Sequence, residues 1–379
     1  MTENIQNSSN SEKIPIVYFI DKFMRAGGTE RQLGVLIDNL NRDQFEPYIF
    51  NLRPKESDLQ TDIDCDVEFL GVTRLMSFKA FKTVFKVSRM LKERNVKILQ
   101  MYFIESRLIG TLAGKLARIP VLIFCRREMG WWHTPLKLII LKFLARLSDY
   151  CLVNADCVKE MAAKAESFPR DKIEVIYNGI DINLRNSGTP VSKSSFNIPE
   201  DAPLIGHIAN YRPVKRIDRL LDAISRLKNR DAHVLLLGTG ELKNELEKQT
   251  EELGIRDRVH FYHTINGIKR IVELFNIGVL ASESEGLSNV LIEYAICGIP
   301  AIGFDIGGNA EVIVNGETGF IVSDNNTDSL AAKIDLLLQD SELAEKLGKQ
   351  AKDRAIKLFN MDNMVKKTEN TYIRLLPKA

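Results

Sequence analysis

The sequence is poor in the features that would place a chain in the simplest classes. Its five cysteines (Cys65, Cys125, Cys151, Cys157 and Cys297) are scattered, odd in number and form no CxxC pair. That excludes a disulfide-stapled scaffold and a thiolate metal site, and it predicts buried, reduced thiols in a cytosolic protein. None of the five histidines has metal-ligand spacing, so no metal is expected on that ground. The formal net charge is only +2, which argues against nucleic acid as a partner. Long apolar runs are absent. The richest, Leu136 to Leu147, is interrupted by Lys137, Lys142 and Arg146, too short and too charged to cross a bilayer. Residues 1–13 are polar and lack a signal-peptide core.

The chain has 379 residues, 45% of them apolar, which suits two well-packed domains. Apolar strand-like runs alternate with helix-like periodicity. In the first half Ile16–Ile20, Tyr48–Leu52, Val67–Leu70, Ile98–Tyr102, Pro120–Cys125, Tyr150–Val153 and Ile173–Tyr177 read as strands. In the second half Leu204–Ala209, Val234–Leu237, Val259–Tyr262 and Val279–Ala281 do so. Such alternation predicts an α/β fold of two doubly wound, Rossmann-like domains with parallel sheets. The expected boundaries are a lead-in at 1–13, a first domain at 14–184, a Ser/Pro/Asn-rich linker at 185–202, a second domain at 203–360, and a terminal helix at 361–379 packing back on the first. Ligands are expected at the carboxyl ends of the strands, in the cleft.

The densest cluster of candidate groups lies between Ser282 and Val322. Glu285 and Glu293 flank a Gly286-Leu287-Ser288-Asn289 turn at a helix start. Backbone N–H groups there suit an anion, and the carboxylates suit hydroxyls, so a sugar nucleotide fits the pattern. Asn210-Tyr211-Arg212-Pro213-Val214-Lys215-Arg216 follows a strand directly. Cations at a helix start oppose its dipole unless an anion sits there, which favours Lys215 and Arg212 as phosphate ligands. Gly27-Gly28 after the first strand lets backbone approach a ligand. Arg126 and Arg127 end the strand PVLIFC, where either could face the cleft. Gly238-Thr239-Gly240 fails as a dinucleotide fingerprint because the third glycine falls at Lys243. The Asp62-Ile63-Asp64-Cys65-Asp66 run reads as a solvated loop rather than a metal site. Phe78 to Lys97 reads as an amphipathic helix with a basic side and with Phe78, Phe81, Val84, Phe85 and Met90 on the other. Its default is a solvated face; the sharper reading is contact with an anionic membrane or lipid diphosphate.

In order and spacing these motifs resemble the glycosyltransferase family 4 (group 1) enzymes of GT-B fold. The resemblance rests on Gly27-Gly28-Thr29-Glu30, on IYNGID at Ile176–Asp181, on Lys215, on GTGELKNELE at Gly238–Glu247, and on Glu285-x7-Glu293 with the following CGIPAIGFDIGGNAEVI. It implies retaining, metal-independent transfer from a UDP- or GDP-sugar to a glycan or lipid-linked acceptor in cell-surface polysaccharide assembly; peripheral contact with the cytoplasmic face of a membrane is a separate expectation that rests on the basic helix alone. By the same resemblance Lys215 neutralises the donor phosphates, Glu293 binds ribose, Glu285 faces the transferring carbon, and residues 286–289 hold sugar or phosphate. Arg212 substitutes for an Arg that the family carries where Asn210 stands. Arg127 or Arg126 replaces the family's His after the fifth strand. The alternatives are a nucleotide-sugar epimerase or sugar-phosphate synthase of the same fold, or a non-catalytic binding partner.

Overall fold

The computed structural model describes residues 13–23, 27–55, 63–75, 77–181, 191–263, 268–323 and 326–377. Asp62, Ala26, most of the lead-in and residues 185–190 of the expected linker lie outside that set.

The first half contains β1 (Ile14–Ile20), α1 (Gly28–Asn39), β2 (Phe45–Asn51), β3 (Asp66–Phe69), α2 (Phe78–Glu93), β4 (Ile98–Tyr102), α3 (Ile104–Ala117), β5 (Val121–Arg126), α4 (Pro135–Leu147), β6 (Tyr150–Val153), α5 (Asp156–Ala165) and β7 (Ile173–Val175). The second contains β8 (Leu204–Ile208), α6 (Ile217–Ser225), β9 (His233–Leu237), α7 (Lys243–Glu252), β10 (Val259–Tyr262), α8 (Ile268–Val272), β11 (Ile277–Leu280), α9 (Asn289–Ile296), β12 (Ala301–Phe304), α10 (Asn309–Val312), β13 (Gly319–Val322), α11 (Thr327–Gln339) and α12 (Ser341–Leu358), with α13 (Met361–Leu375) last.

The strands form two all-parallel sheets, β3-β2-β1-β4-β5-β6-β7 and β10-β9-β8-β11-β12-β13. The chain is thus two Rossmann-like domains in GT-B architecture. Central strands are apolar on both sides, as β1 shows with Ile16 to Ile20 fully buried, because helices cover both sheet faces. In the first sheet Val17, Phe19, Leu99 and Met101 face α2 and α3, and Ile16, Tyr18, Ile98 and Tyr102 face α1 and α13. Strand order reverses between β1 and β4 and between β8 and β11, which sets a crevice at the carboxyl ends of those strands.

The chain returns to the first domain at its end. Ile180 N–H donates to Phe359 O at 2.9 Å and Met361 N–H to Ile180 O at 3.2 Å. On α13, Tyr372 is buried, and its hydroxyl donates to Gln100 Oε1 at 2.8 Å. The later part of the 185–202 stretch is packed rather than free, since Phe196, Ile198 and Ala202 are buried. One expectation is corrected. On α2 the buried residues are Ala80, Thr83, Val87, Ser88, Met90 and Leu91, whereas Phe78, Phe81 and Phe85 are exposed. The small residues fit close against the sheet and α3, which leaves the rings on the solvent side among the lysines.

Candidate functional site

The β8 and β11 loops meet at the switch point of the second sheet. After Ile208 the chain buries Tyr211, whose hydroxyl donates to Leu236 O at 3.0 Å. A 3-10 turn at Pro213–Lys215 follows. Glu283 N–H donates to Val214 O at 2.9 Å and ties the two loops together. Lys215 Nζ therefore reaches Glu285 Oε1 at 2.7 Å, with both side chains mostly covered. A carboxylate at this distance fixes the ammonium in place by a charge-assisted hydrogen bond.

The neighbouring cations separate by position. Arg212 is exposed at the N-cap of the 3-10 turn and does not line the cleft. The proline-initiated turn sends Lys215 inward and leaves Arg212 outside, so the expected pairing of Arg212 with Lys215 on a phosphate has no support in the geometry. Arg216 is held by Asp218 at 2.8 Å and Glu283 at 3.1 Å. The hydrogen bond to Asp218, more than any other contact, holds its guanidinium charged.

The turn after Glu285 lies against the first domain. Gly308 N–H donates to Gly286 O at 2.8 Å. A Cβ on Gly286 would stand 2.3 Å from Arg127 O, so only glycine lets the two backbones come this close. Ser288 Oγ caps α9 by accepting from Leu291 N–H at 3.4 Å. Asn289 Oδ1 accepts from Asn178 Nδ2 at 2.6 Å, and Asn289 Nδ2 donates to Gly28 O at 3.4 Å.

From the first domain come Arg127, Asn178 and α1. Arg127 Nη2 donates to Asn178 Oδ1, completing a chain from Arg127 through Asn178 and Asn289 to Gly28. Asn178 is fixed by its neighbour Gly179, which exchanges two hydrogen bonds with the Gln32 amide at 3.0 and 2.9 Å. Gly27 is the N-cap of α1 and accepts from Arg31 N–H at 2.9 Å. Arg31 pairs with Glu293 across the domains. The second carboxylate oxygen of Glu293, Oε2, is buried with no hydrogen-bond partner among the described residues.

Arg126 and Arg127 point to different places. Arg126 is buried, forms an ion pair with Glu166 at 3.0 Å, and hydrogen-bonds Glu128 at 3.1 Å and His133 Nε2 at 2.9 Å. Glu166 also holds the buried Arg107 at 2.8 Å. Burial by itself pushes the Glu166 carboxyl up, but His133, Arg126 and Arg107 together hold it below the usual carboxylate range. Trp132 lies on the Arg126 guanidinium, 4.8 Å from ring centroid to carbon. The loop after β5 is therefore wrapped around Arg126, and it presents Arg127 to the cleft.

The cleft has a volume of about 360 Å³ and takes walls from both domains, a size suited to a small polar ligand. Gly28, Arg31 and Arg127 line one side; Lys215, Glu285 and Asn289 line the other. Gly286, Leu287 and Ser288 complete the second wall. Sequence reasoning missed Arg31 and Asn178, although Arg31 directly follows the Gly27-Gly28-Thr29-Glu30 motif it used and Asn178 lies inside IYNGID. Gly240 packs on Tyr211 backbone rather than on the cleft. Asp64 and Asp66 are exposed, and among the described residues no His, Cys, Asp or Glu group could hold a metal.

Two family models match adjoining segments: Glycosyltransferase Family 4 over residues 26–184 and Glycosyl transferases group 1 over residues 189–354. The chain is 30% identical to N-acetyl-alpha-D-glucosaminyl L-malate synthase of Bacillus anthracis over 55% of each chain. It thus spans about half the length of that relative. With UDP-Gal:alpha-D-GlcNAc-diphosphoundecaprenol alpha-1,3-galactosyltransferase of Escherichia coli it shares 23% identity over 89% of this chain and 91% of the other. In three dimensions it resembles HepE of Anabaena, solved in complex with UDP, with a TM-score of 0.82 and 20% identity over 95% of this chain and 100% of the other. With the two models meeting near the junction of the two sheets, the chain belongs to the group 1, family 4 glycosyltransferases.

Proposed function

We propose that the chain transfers a sugar, with retention, from a UDP- or GDP-sugar to a glycan or lipid-linked sugar acceptor in polysaccharide or glycolipid assembly. The observation that carries this reading is the Lys215–Glu285 pair at 2.7 Å facing Arg127 and Arg31 across one cleft. A diphosphate leaving group needs this kind of fixed positive charge as the bond from the sugar C1 breaks, and these cations supply it without a metal. The acceptor hydroxyl oxygen bonds C1 on the face the diphosphate leaves, and its proton passes to the departing diphosphate oxygen. The unpartnered Oε2 of Glu293 suits a ribose hydroxyl as donor. Glu285 and the 286–289 backbone suit the donor sugar. A solved structural neighbour holds UDP, and a relative is named for a lipid diphosphate acceptor; both favour these ligand classes. Arg212 has no part in this mechanism.

The test is Lys215→Ala, read as initial rates with candidate donors. Turnover should fall by about 10²–10³-fold, the usual loss when a group that stabilises developing charge is removed, with weaker donor binding and an unchanged melting temperature. Unaltered turnover and donor affinity would overturn the assignment.

A further inference from the structure

We infer that the outer face of α2, α3 and α4 is a docking surface for an anionic phospholipid bilayer, and that it brings the acceptor side of the cleft to the membrane. The three helices lie side by side on one face of the first sheet, with α3 between α2 and α4. Each already buries one side on the sheet, yet each carries further apolar side chains outward. On α2 these are Phe78, Phe81 and Phe85, and on α4 Leu136, Ile139 and Phe143. Both sets have the spacing i, i+3, i+7, which is one helix stripe. Leu112 and Leu116 of α3 are also exposed and occupy the strip between them. Trp131 stands just before α4. With Trp131, the α2 and α4 residues are between 53% and 72% exposed. A folded chain rarely leaves so large an apolar patch to water without a use for it.

Charge and shape select the occupant. The exposed charges interleaved with the apolar stripes are cationic: Lys79, Lys82 and Lys86 on α2, Lys115 on α3, Lys142 and Arg146 on α4. Glu93 is the one exposed acid on the three helices. Neighbouring helices about 10 Å apart give a broad, flat face, with Leu112 and Leu116 filling the middle rather than leaving a groove for a peptide. Outward aromatic and aliphatic rows set among lysines are what an interfacial membrane surface requires. Trp131 also lines the cleft, so the apolar surface runs from α2 to the mouth of the site. This last point rests on the transferase reading: a sugar carried on a lipid would reach the cleft without leaving the bilayer surface.

The experiment pellets the full chain with vesicles of phosphatidylcholine, with or without phosphatidylglycerol, at low and high salt, and records tryptophan emission. The expected result is salt-sensitive pelleting with the phosphatidylglycerol vesicles and a blue shift. A Phe81→Ser, Phe143→Ser double variant, altered only at exposed positions, should melt like the parent and partition about tenfold more weakly or less. Lys215→Ala should pellet like the parent, so loss of turnover and loss of vesicle binding report separately. No pelleting at low salt, or equal pelleting by the double variant, would overturn the proposal. So would a parent dimer that ignores vesicles and that the double variant splits, which would assign the face to a second copy of the chain.

Discussion

Arg31 of the first domain and Glu293 of the second form an ion pair across the cleft, and only one carboxylate oxygen of Glu293 takes part. The Glu293 side chain is largely covered and the Arg31 side chain is not, at 12% and 40% exposure. The pair therefore couples the domains while leaving one acceptor atom unused. If that atom takes a ribose hydroxyl, the pair feels the donor directly. A double-mutant cycle of Arg31→Ala and Glu293→Ala should give a coupling of about 1 kcal/mol in stability without ligand. Glu293→Ala alone should weaken UDP binding about tenfold, as measured by calorimetry. Unchanged UDP affinity would remove Glu293 from the nucleoside site.

Gly286 offers a separation of binding from turnover. All three of its nearest obstructing atoms, Arg127 O, Arg127 C and Asn154 Oδ1, belong to the first domain. A methyl there costs the second domain nothing and pushes the domains apart. Gly286→Ala should melt within a degree or so of the parent and still bind nucleotide. Its kcat should fall by about 100-fold, the scale of a 1 Å misplacement of reacting groups. Calorimetry and steady-state rates on the same preparation decide it.

The Glu166 cluster is structural, with consequences for the loop that carries Arg127. Glu166 is buried between the guanidiniums of Arg107 and Arg126. Glu166→Gln keeps the shape but leaves two buried cations without their counter-charge. It should lower stability by about 3 kcal/mol, seen as an earlier urea midpoint.

Two buried groups pull the acid stability in opposite directions. Burial raises the Asp21 carboxyl to about 6, in spite of two hydrogen bonds from Ser106. Burial lowers the His207 imidazole to about 4. As pH falls from 6 towards 4, folded Asp21 takes up a proton before the unfolded chain does, which favours folding. Over the same range unfolded His207 protonates first, which disfavours it. Asp21→Asn removes the favourable part. The variant should therefore lose stability more steeply than the parent between about pH 6 and pH 4, and at neutral pH it is relieved of burying a charge. Urea titrations at several pH values test the sign.

The alternation of apolar runs with helical periodicity was enough to read two doubly wound domains, because a strand covered on both faces must be predominantly apolar, as β1 is, and as β4 and β8 are apart from Gln100 and His207. Lys215, Glu285 and the 286–289 turn were legible because topology puts the ends of β8 and β11 side by side. Arg212 lies outside the cleft lining because a 3-10 turn that starts at Pro213 separates it from Lys215, and that turn's direction is not legible in the local sequence. Arg31 and Asn178 were missed for a related reason: their partners Glu293 and Asn289 lie more than a hundred residues away. The rings of α2 were assigned to the wrong side because hydrophobic periodicity reports that a stripe exists, not which stripe meets the sheet. The sequence by itself determined the strands, the helices and the chemistry on offer. The tertiary structure decided which groups share the cleft and which apolar face stays in water, since both depend on contacts between segments far apart in the chain.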